Sequence, residues 1–441
     1  MQTIEQLRQT LDAGRTSSVE LVQEALAAIE AHRRDGGVAF LSTDADAALM
    51  AARASDMARA AGYVASPLAG LPVSIKDLFD VRGQVTSAGS KALSHNAPAV
   101  SDADAVARLR AAGAVLIGRT NMSEFAFSGL GTNPHYGTPR MPSDSSRIAG
   151  GSSSGGAVSV AGGMAVAALG TDTGGSIRIP SAFCGLTGFK PTAHRVSAAG
   201  CVPLSPTLDS IGPLARSVDC CAKMDAVLSG ATLDTRAAAV AGLRFYVTAD
   251  FVGEGLDDEV AQAFEAALAR LQKAGAIIVR FDFPELRELP QINGGGGFTA
   301  AEAWTWHRAL LAQRGDEYDP RVAMRIRRGE KQTAADYLEL LAARIRVRAA
   351  AAARLRDADA WLMPTVAVRA PLAAPLEKDD AVFFETNGMV LRNAAAVNFL
   401  DGCAVSLPLP PAGIALSVCG LRDQDARVLQ VAGAVEHVFN N

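Results

Sequence analysis

A chain of 441 residues that is 49 % hydrophobic and 20 % charged is long enough for a large core, as one big α/β domain or two smaller ones. Its formal net charge of −4 and isoelectric point near 5.9 give no electrostatic basis for nucleic-acid binding. No apolar run reaches the length of a membrane span, and the first residues, with Glu5, Arg8 and Asp12, lack a signal-peptide core, so a cytoplasmic location is expected.

In chain order, Ser17 to Glu20 reads as a capping box opening a helix, with Leu21, Val22, Ala25, Leu26 and Ile29 on one face. A second, alanine-rich helix is expected over 44–61. Residues 68–81, LAGLPVSIKDLFDV, read as a buried strand with a charged pair at its end. Lys76 sits in the most apolar setting of the chain's seven lysines, which stand against 35 arginines. On the residues alone it is either half of a structural ion pair, with Asp77 or Asp80 as partner, or a functional amine whose pKa burial lowers. A helix over 102–112, a strand over 114–118 and a turn and helix starting at 119–125 follow. This alternation of strand and helix points to an α/β sheet. Residues 128–146 read as a long loop and 186–217 as loop-rich, with a helix over 218–228 after them.

Beyond a polar joint near 229–236 the same style resumes. Strands are expected at 243–247, 276–281, 360–363 and 414–419, and helices at 257–274, 300–312, 333–357 and 425–439, with a loop at 293–298. The arginines of 333–357 read as a solvated face. Six cysteines without a C-x-x-C pair read as free thiols, mostly buried. Six scattered histidines without H-E-x-x-H give no metal site.

The stretch 147–192, RIAGGSSSGGAVSVAGGMAVAALGTDTGGSIRIPSAFCGLTGFKPT, organises the chain. Two Gly/Ser clusters, 150–156 and 174–176, flank an apolar run that reads as a buried helix passing into a buried strand, broken at Gly162 and Gly163. A flexible linker fits poorly between core-like runs. A phosphate cradle lacks the Gly-Lys-Ser/Thr and G-x-G-x-x-G patterns. A serine nucleophile beside converging backbone amides remains. Thr173, Gly174, Gly175 and Ser176 suit that role because glycine lets successive N–H groups turn toward one point.

These segments carry a resemblance. The sequences GGSSSGG at 150–156, ALGTDTGGSIRIP at 168–180, FCGLTGFKPT at 183–192 and LDSIGP at 208–213 resemble the amidase signature. LPVSIKD at 71–77 and TNMSEF at 120–125 are similar to that family's upstream motifs. The resemblance runs through the whole chain, densest between 70 and 220. It implies an α/β fold with a mixed β-sheet flanked by α-helices on both faces, as a single domain over 1–441 whose part 240–441 completes the sheet and pocket. It further implies a Ser–cisSer–Lys triad: Ser176 as nucleophile, Ser152 as the bridging serine after a cis peptide bond, and Lys76 as base. The backbone amides of Thr173, Gly174, Gly175 and Ser176 would then form the oxyanion hole. Ser123 and Ala149 depart from the family's usual Asp and Pro, and neither is expected to touch the triad.

The expected activity is hydrolysis of a small-molecule carboxamide, carbamate or urea-like compound, with no cofactor, and with a homodimer left open. The rival is a glutamine-using subunit of a tRNA-dependent amidotransferase. A non-catalytic protein on the same fold is disfavoured by the intact triad. The pocket is expected from 121–141, 293–310 and 320–335. Phe125, Tyr136 and Arg178 are candidate substrate contacts. Arg140, Arg178, Arg321 and Arg325 are candidates for binding a carboxylate, with a structural or surface charge the favoured reading of each.

Overall fold

The computed structural model describes residues 2–233 and 239–440. Its strands are β1 (Phe40–Ser42), β2 (Pro72–Lys76), β3 (Val115–Thr120), β4 (Arg140–Met141), β5 (Asp144–Ile148), β6 (Ala167–Asp172), β7 (Thr187–Lys190), β8 (Ser210–Ala215), β9 (Arg244–Val247), β10 (Ile277–Arg280), β11 (Ala360–Pro364), β12 (Cys403–Leu409) and β13 (Ile414–Gly420). Eleven of them form one sheet in the order β1-β3-β2-β6-β8-β7-β12-β13-β11-β9-β10, and β4 and β5 make a separate hairpin. The sheet is mixed: β2 runs parallel to β3 and β6, whereas β8 lies antiparallel between β6 and β7. The β7–β12 pairing, with Phe189 opposite Val405, joins the two halves of the chain edge to edge.

Alternation along the strands decides which layer each side chain enters. Ala167 and Leu169, Phe245 and Val247, Ala360 and Leu362, Val405 and Leu407, and Leu416 and Val418 all enter one large cluster with helices Asp104–Ala111, Val218–Ser229, Asp258–Lys273 and Asp425–Asn440. Their neighbours Tyr246, Trp361, Met363, Ala404 and Cys419 point to the opposite face, into a cluster with helix Ala334–Arg354. Ala168 points the same way, toward helix Ser154–Ala161. Both faces of the sheet are therefore covered, which is why its central strands read as continuous apolar runs.

Several expectations are corrected. The long loop at 128–146 contains the β4–β5 hairpin, and the loop-rich 186–217 contains β7 and β8 in the middle of the sheet. Gly188, Gly212 and Pro213 disguise those strands. The helix expected to start at 119–125 is only a short 3-10 turn, Glu124–Ala126. The loop at 293–298 already passes into helix Gly297–Arg314 at its end. The stretch between Met363 and Ile414, left unassigned, holds β12 and the twenty-residue helix Asp380–Phe399, whose first amides are capped by the Asp379 carboxylate. Arg344 of helix Ala334–Arg354 is buried and donates to the Asn398 and Phe399 carbonyls, so that helix's arginines are not all solvated. The polar joint near 229–236 begins at the end of helix Val218–Ser229; its residues 234–236 lie outside the described residues. Among the described residues no helix is long and apolar enough to cross a membrane.

Candidate active site

Lys76 ends β2, and Ser74 two residues earlier shares its face. Ser74 Oγ is hydrogen-bonded to Ser159 Oγ of helix Ser154–Ala161 at 2.8 Å, so this face of β2 looks onto the helix that follows the first serine cluster. Lys76 is fully buried, and its Nζ donates to Ser152 Oγ and Thr171 Oγ1, both at 2.8 Å. Burial pushes the amine down from its ordinary 10.5 to about 7, against the opposing fields of Asp172 and Asp209. Neither Asp77 nor Asp80 pairs with it. Asp77 is held by Arg119 at 2.6 Å, and Asp80 accepts from Thr86 Oγ1.

The peptide bond between Gly151 and Ser152 is cis. Ser152 is fully buried, and its carbonyl accepts from the Ser123 amide at 3.2 Å. That contact is made by the Ser123 backbone, whichever residue stands there, and the Ser123 side chain donates instead to the Ser128 carbonyl at 3.1 Å. The next residue closes the gap to the second cluster: the Ser153 amide donates to the Ser176 carbonyl at 3.3 Å.

Asp172, at the end of β6, shapes the Thr-Gly-Gly-Ser turn. Its carboxylate accepts from the amides of Gly175 at 2.8 Å and Ile177 at 3.2 Å. It also accepts from Arg178 Nη2 and Asn398 Nδ2, each at 2.9 Å. Burial alone would raise this carboxyl, but Arg178, Lys190 and the Asn398 amide together hold it well below the usual range. The Gly175 amide is thus already spent on Asp172, whereas those of Gly174 and Ser176 have no acceptor among the described residues. Gly175 has φ +130°, and a Cβ there would lie 2.5 Å from Ile179 Cδ1, so the turn requires glycine. Thr173 Oγ1 donates to Asp209 at 2.5 Å, tying the start of the turn to the loop before β8. Burial raises the Asp209 carboxyl to about 6, with the Thr173, Leu204 and Ser205 donors opposing.

Thr173, Gly174 and Ser176 open onto a cavity of about 720 Å³. Its wall includes Ala126 to Ser128, residues between 289 and 300, Arg325 and Arg328, all from or near the expected segments. A further wall, from Phe384 to Phe399, belongs to the helix that sequence reasoning missed, and Leu204, Leu208 and Phe251 add to it. Asn387 of that helix accepts from Ser128 Oγ and the Gly129 amide, both at 3.0 Å, so the helix is tied to the pocket floor. The Asp379 cap before an apolar run was the available signal.

The three candidate substrate contacts all fall outside the cavity wall. Phe125 is buried behind it, against Trp306, His307 and Tyr318. Tyr136 packs edge-on to His135. Arg178 is fully buried in its ion pair with Asp172. Arg140 pairs with Glu377 and Arg321 with Asp380, whereas Arg325 alone of the four carboxylate-binding candidates lines the cavity.

The family model described as Amidase matches residues 20–429. The 2-amino-5-chloromuconic acid deaminase of Comamonas testosteroni is 37 % identical over 415 residues, covering 90 % of this chain and 88 % of that protein. A glutamyl-tRNA(Gln) amidotransferase subunit from Cupriavidus necator is 42 % identical over 310 residues, but the match covers only 64 % of this chain and 61 % of that protein. A crystal structure of an amidase superposes with a TM-score of 0.91 at 34 % identity, covering 99 % of this chain and 100 % of that one. Sequence and fold agree over almost the full length: this chain belongs to the amidase signature family and is an amidase, acting on carbon–nitrogen bonds.

Proposed function

We propose that this chain hydrolyses a small carboxamide to a carboxylate and ammonia or an amine, through an acyl-enzyme on Ser176. The observation that carries the reading is the buried Lys76–Ser152 hydrogen bond, with the lysine desolvated toward neutrality. A hydroxyl needs a base to become a nucleophile at ordinary pH. Neutral Lys76 takes a proton from Ser152 as Ser152 takes one from Ser176, and the Ser176 oxygen attacks the amide carbonyl. The amides of Thr173, Gly174 and Ser176 receive the oxyanion, a contribution of about 10²–10³ in rate per well-placed donor. Gly175 supplies the turn rather than a free N–H. The proton then returns through Ser152 to the leaving nitrogen, and water repeats the sequence to release the acid.

The identity to the amidotransferase protein favours a second reading, a glutaminase that hands ammonia to partner subunits. One experiment separates the two. The purified chain is given a panel of simple amides without ATP, tRNA or partner, and ammonia is measured. Release that disappears in Ser176→Ala, with a serine-directed probe on Ser176 in the wild type, is the expected result. Turnover of glutamine alone, and only with partner subunits, would favour the second reading. Labelling of Ser152 or Ser153 instead of Ser176 would overturn the assignment of roles.

A further inference from the structure

Arg325 is the anomaly of the cavity. Its guanidinium donates one hydrogen bond, to the Phe127 carbonyl, and lies over the Phe127 ring with Cζ 4.9 Å from the ring centre. No carboxylate among the described residues comes within ion-pairing distance of it. Arg325 is half-buried, and the fully buried arginines of this chain are answered. Arg119 has Asp77 at 2.6 Å, Arg178 has Asp172 at 2.9 Å, and Arg344 donates to three carbonyls. On the same helix, Pro320–Arg327, Arg321 is paired with Asp380 one turn earlier. Burial, with the like charge of Arg328, lowers Arg325 to about 10, against the weaker pull of Asp319. A half-buried cation with no counter-ion beside it is positioned to take an anion that supplies the missing charge.

Two more cations share this cavity. Arg328 donates to the Gly294 carbonyl, and Arg392 to Asn393 Oδ1. Neither is ion-paired among the described residues, and Arg392 Nη2 is buried without a partner. The one carboxylate on the wall, Glu385, is exposed and also borders an outward-facing depression beside Asp257 and Glu259. The rest of the wall is largely apolar, with Leu204, Leu208, Leu391 and Phe399.

We infer that Arg325 binds a carboxylate on the substrate, at the end away from the scissile amide, so that the preferred substrates are monoamides of dicarboxylic acids with an apolar spacer. The inference rests on the reading of this cavity as the place where an amide reaches Ser176. A planar guanidinium matches a carboxylate with two parallel hydrogen bonds, and its remaining N–H groups are available once one has gone to Phe127. The apolar wall then accommodates the spacer, and Arg328 and Arg392 add to the positive field that draws the anion in.

The test uses the whole protein and matched pairs. Monoamides of α,ω-dicarboxylic acids of increasing length are compared with the methyl esters of the same monoamides, by ammonia release. Wild-type enzyme should favour the acid over its ester by about tenfold or more in kcat/KM, mainly through KM. In Arg325→Gln that ratio should collapse toward one, and Arg325→Lys should keep part of it. Equal rates for acid and ester in the wild type, or an unchanged ratio in Arg325→Gln, would overturn the inference while leaving the hydrolase reading intact. Should the glutamine variant fail to fold, the wild-type ratio decides alone. If both series are inert but a serine probe labels Ser176, the substrate class is wrong. If Ser176 is also unlabelled, the hydrolase reading falls and takes this inference with it.

Discussion

Replacing Lys76 by methionine should destroy activity and yet stabilise the protein below neutral pH. The buried amine titrates near 7 in the folded chain and near its ordinary 10.5 when unfolded. At about 1.4 kcal/mol per pH unit, that gap corresponds to about 5 kcal/mol. The folded pKa is the lower one, so the unfolded chain binds more protons between pH 7 and 10.5. Wild-type stability is therefore fullest above 10.5, declines as pH falls toward 7, and loses no more to this group below that. Methionine has no proton to bind and removes the slope. It also leaves Ser152 Oγ and Thr171 Oγ1 without the lysine donor, at about 1 kcal/mol each. The net expectation is a variant more stable by about 3 kcal/mol at pH 6, with the advantage vanishing near pH 9 and reversing above it. Urea unfolding of both proteins at pH 6, 7.5, 9 and 10 measures the difference, and groups common to both largely cancel. A variant less stable than wild type at pH 6, or a difference that does not change with pH, would refute the claim that burial neutralises this lysine.

The kcat/KM profile of the wild type should fall on the acid side with an apparent pKa near 7, as Lys76 takes up a proton. That limb should survive replacement of His135, which bonds to Glu124, and of His194, whereas Lys76→Arg should lose about 10³-fold or more because a guanidinium does not deprotonate in this range. Asp172→Asn should cost about 3–5 kcal/mol, because it strands the buried Arg178 without its counter-ion. It should also slow probe labelling of Ser176, since the turn loses its organising carboxylate. Urea unfolding and labelling rate check the two effects separately, and a variant of native stability would show that the pair is not needed to hold the turn.

The serine clusters and Lys76 were legible because their motifs are long, ordered and set between buried runs. The partners of Lys76 were not. Successive residues of a strand point to opposite faces, so Asp77, adjacent in sequence, is turned toward Arg119, while Thr171, almost a hundred residues away, is one strand over on β6. Arg178 stood as a candidate substrate contact beside the favoured reading of a structural charge, and the structure makes it structural. Its counter-ion, Asp172, stood six residues earlier in the same motif, and the turn between them brings the two together. Helix Asp380–Phe399 escaped because it is buried on several sides and so lacks the one-faced apolar stripe by which a surface helix is read. With it went more than a third of the cavity wall and Asn398, which helps to hold Asp172.

Asp172 is also what allows a lysine to serve here. A carboxylate so near would ordinarily keep the Lys76 amine charged, and its field does push the amine upward. Yet that charge is largely answered elsewhere: by Arg178, by the field of Lys190, by the Asn398 amide and by the backbone of the turn. What remains around Nζ are the hydroxyls of Ser152 and Thr171, which can accept from an amine or donate to it and so suit either protonation state. Desolvation then dominates, and the amine sits near neutrality at the pH where it must work. The same burial lowers folded-state stability at that pH by about 4 kcal/mol, a large share of the 5–15 kcal/mol typical of a folded protein. A site of this kind therefore calls for a broad scaffold, and an eleven-stranded sheet with both faces covered supplies it.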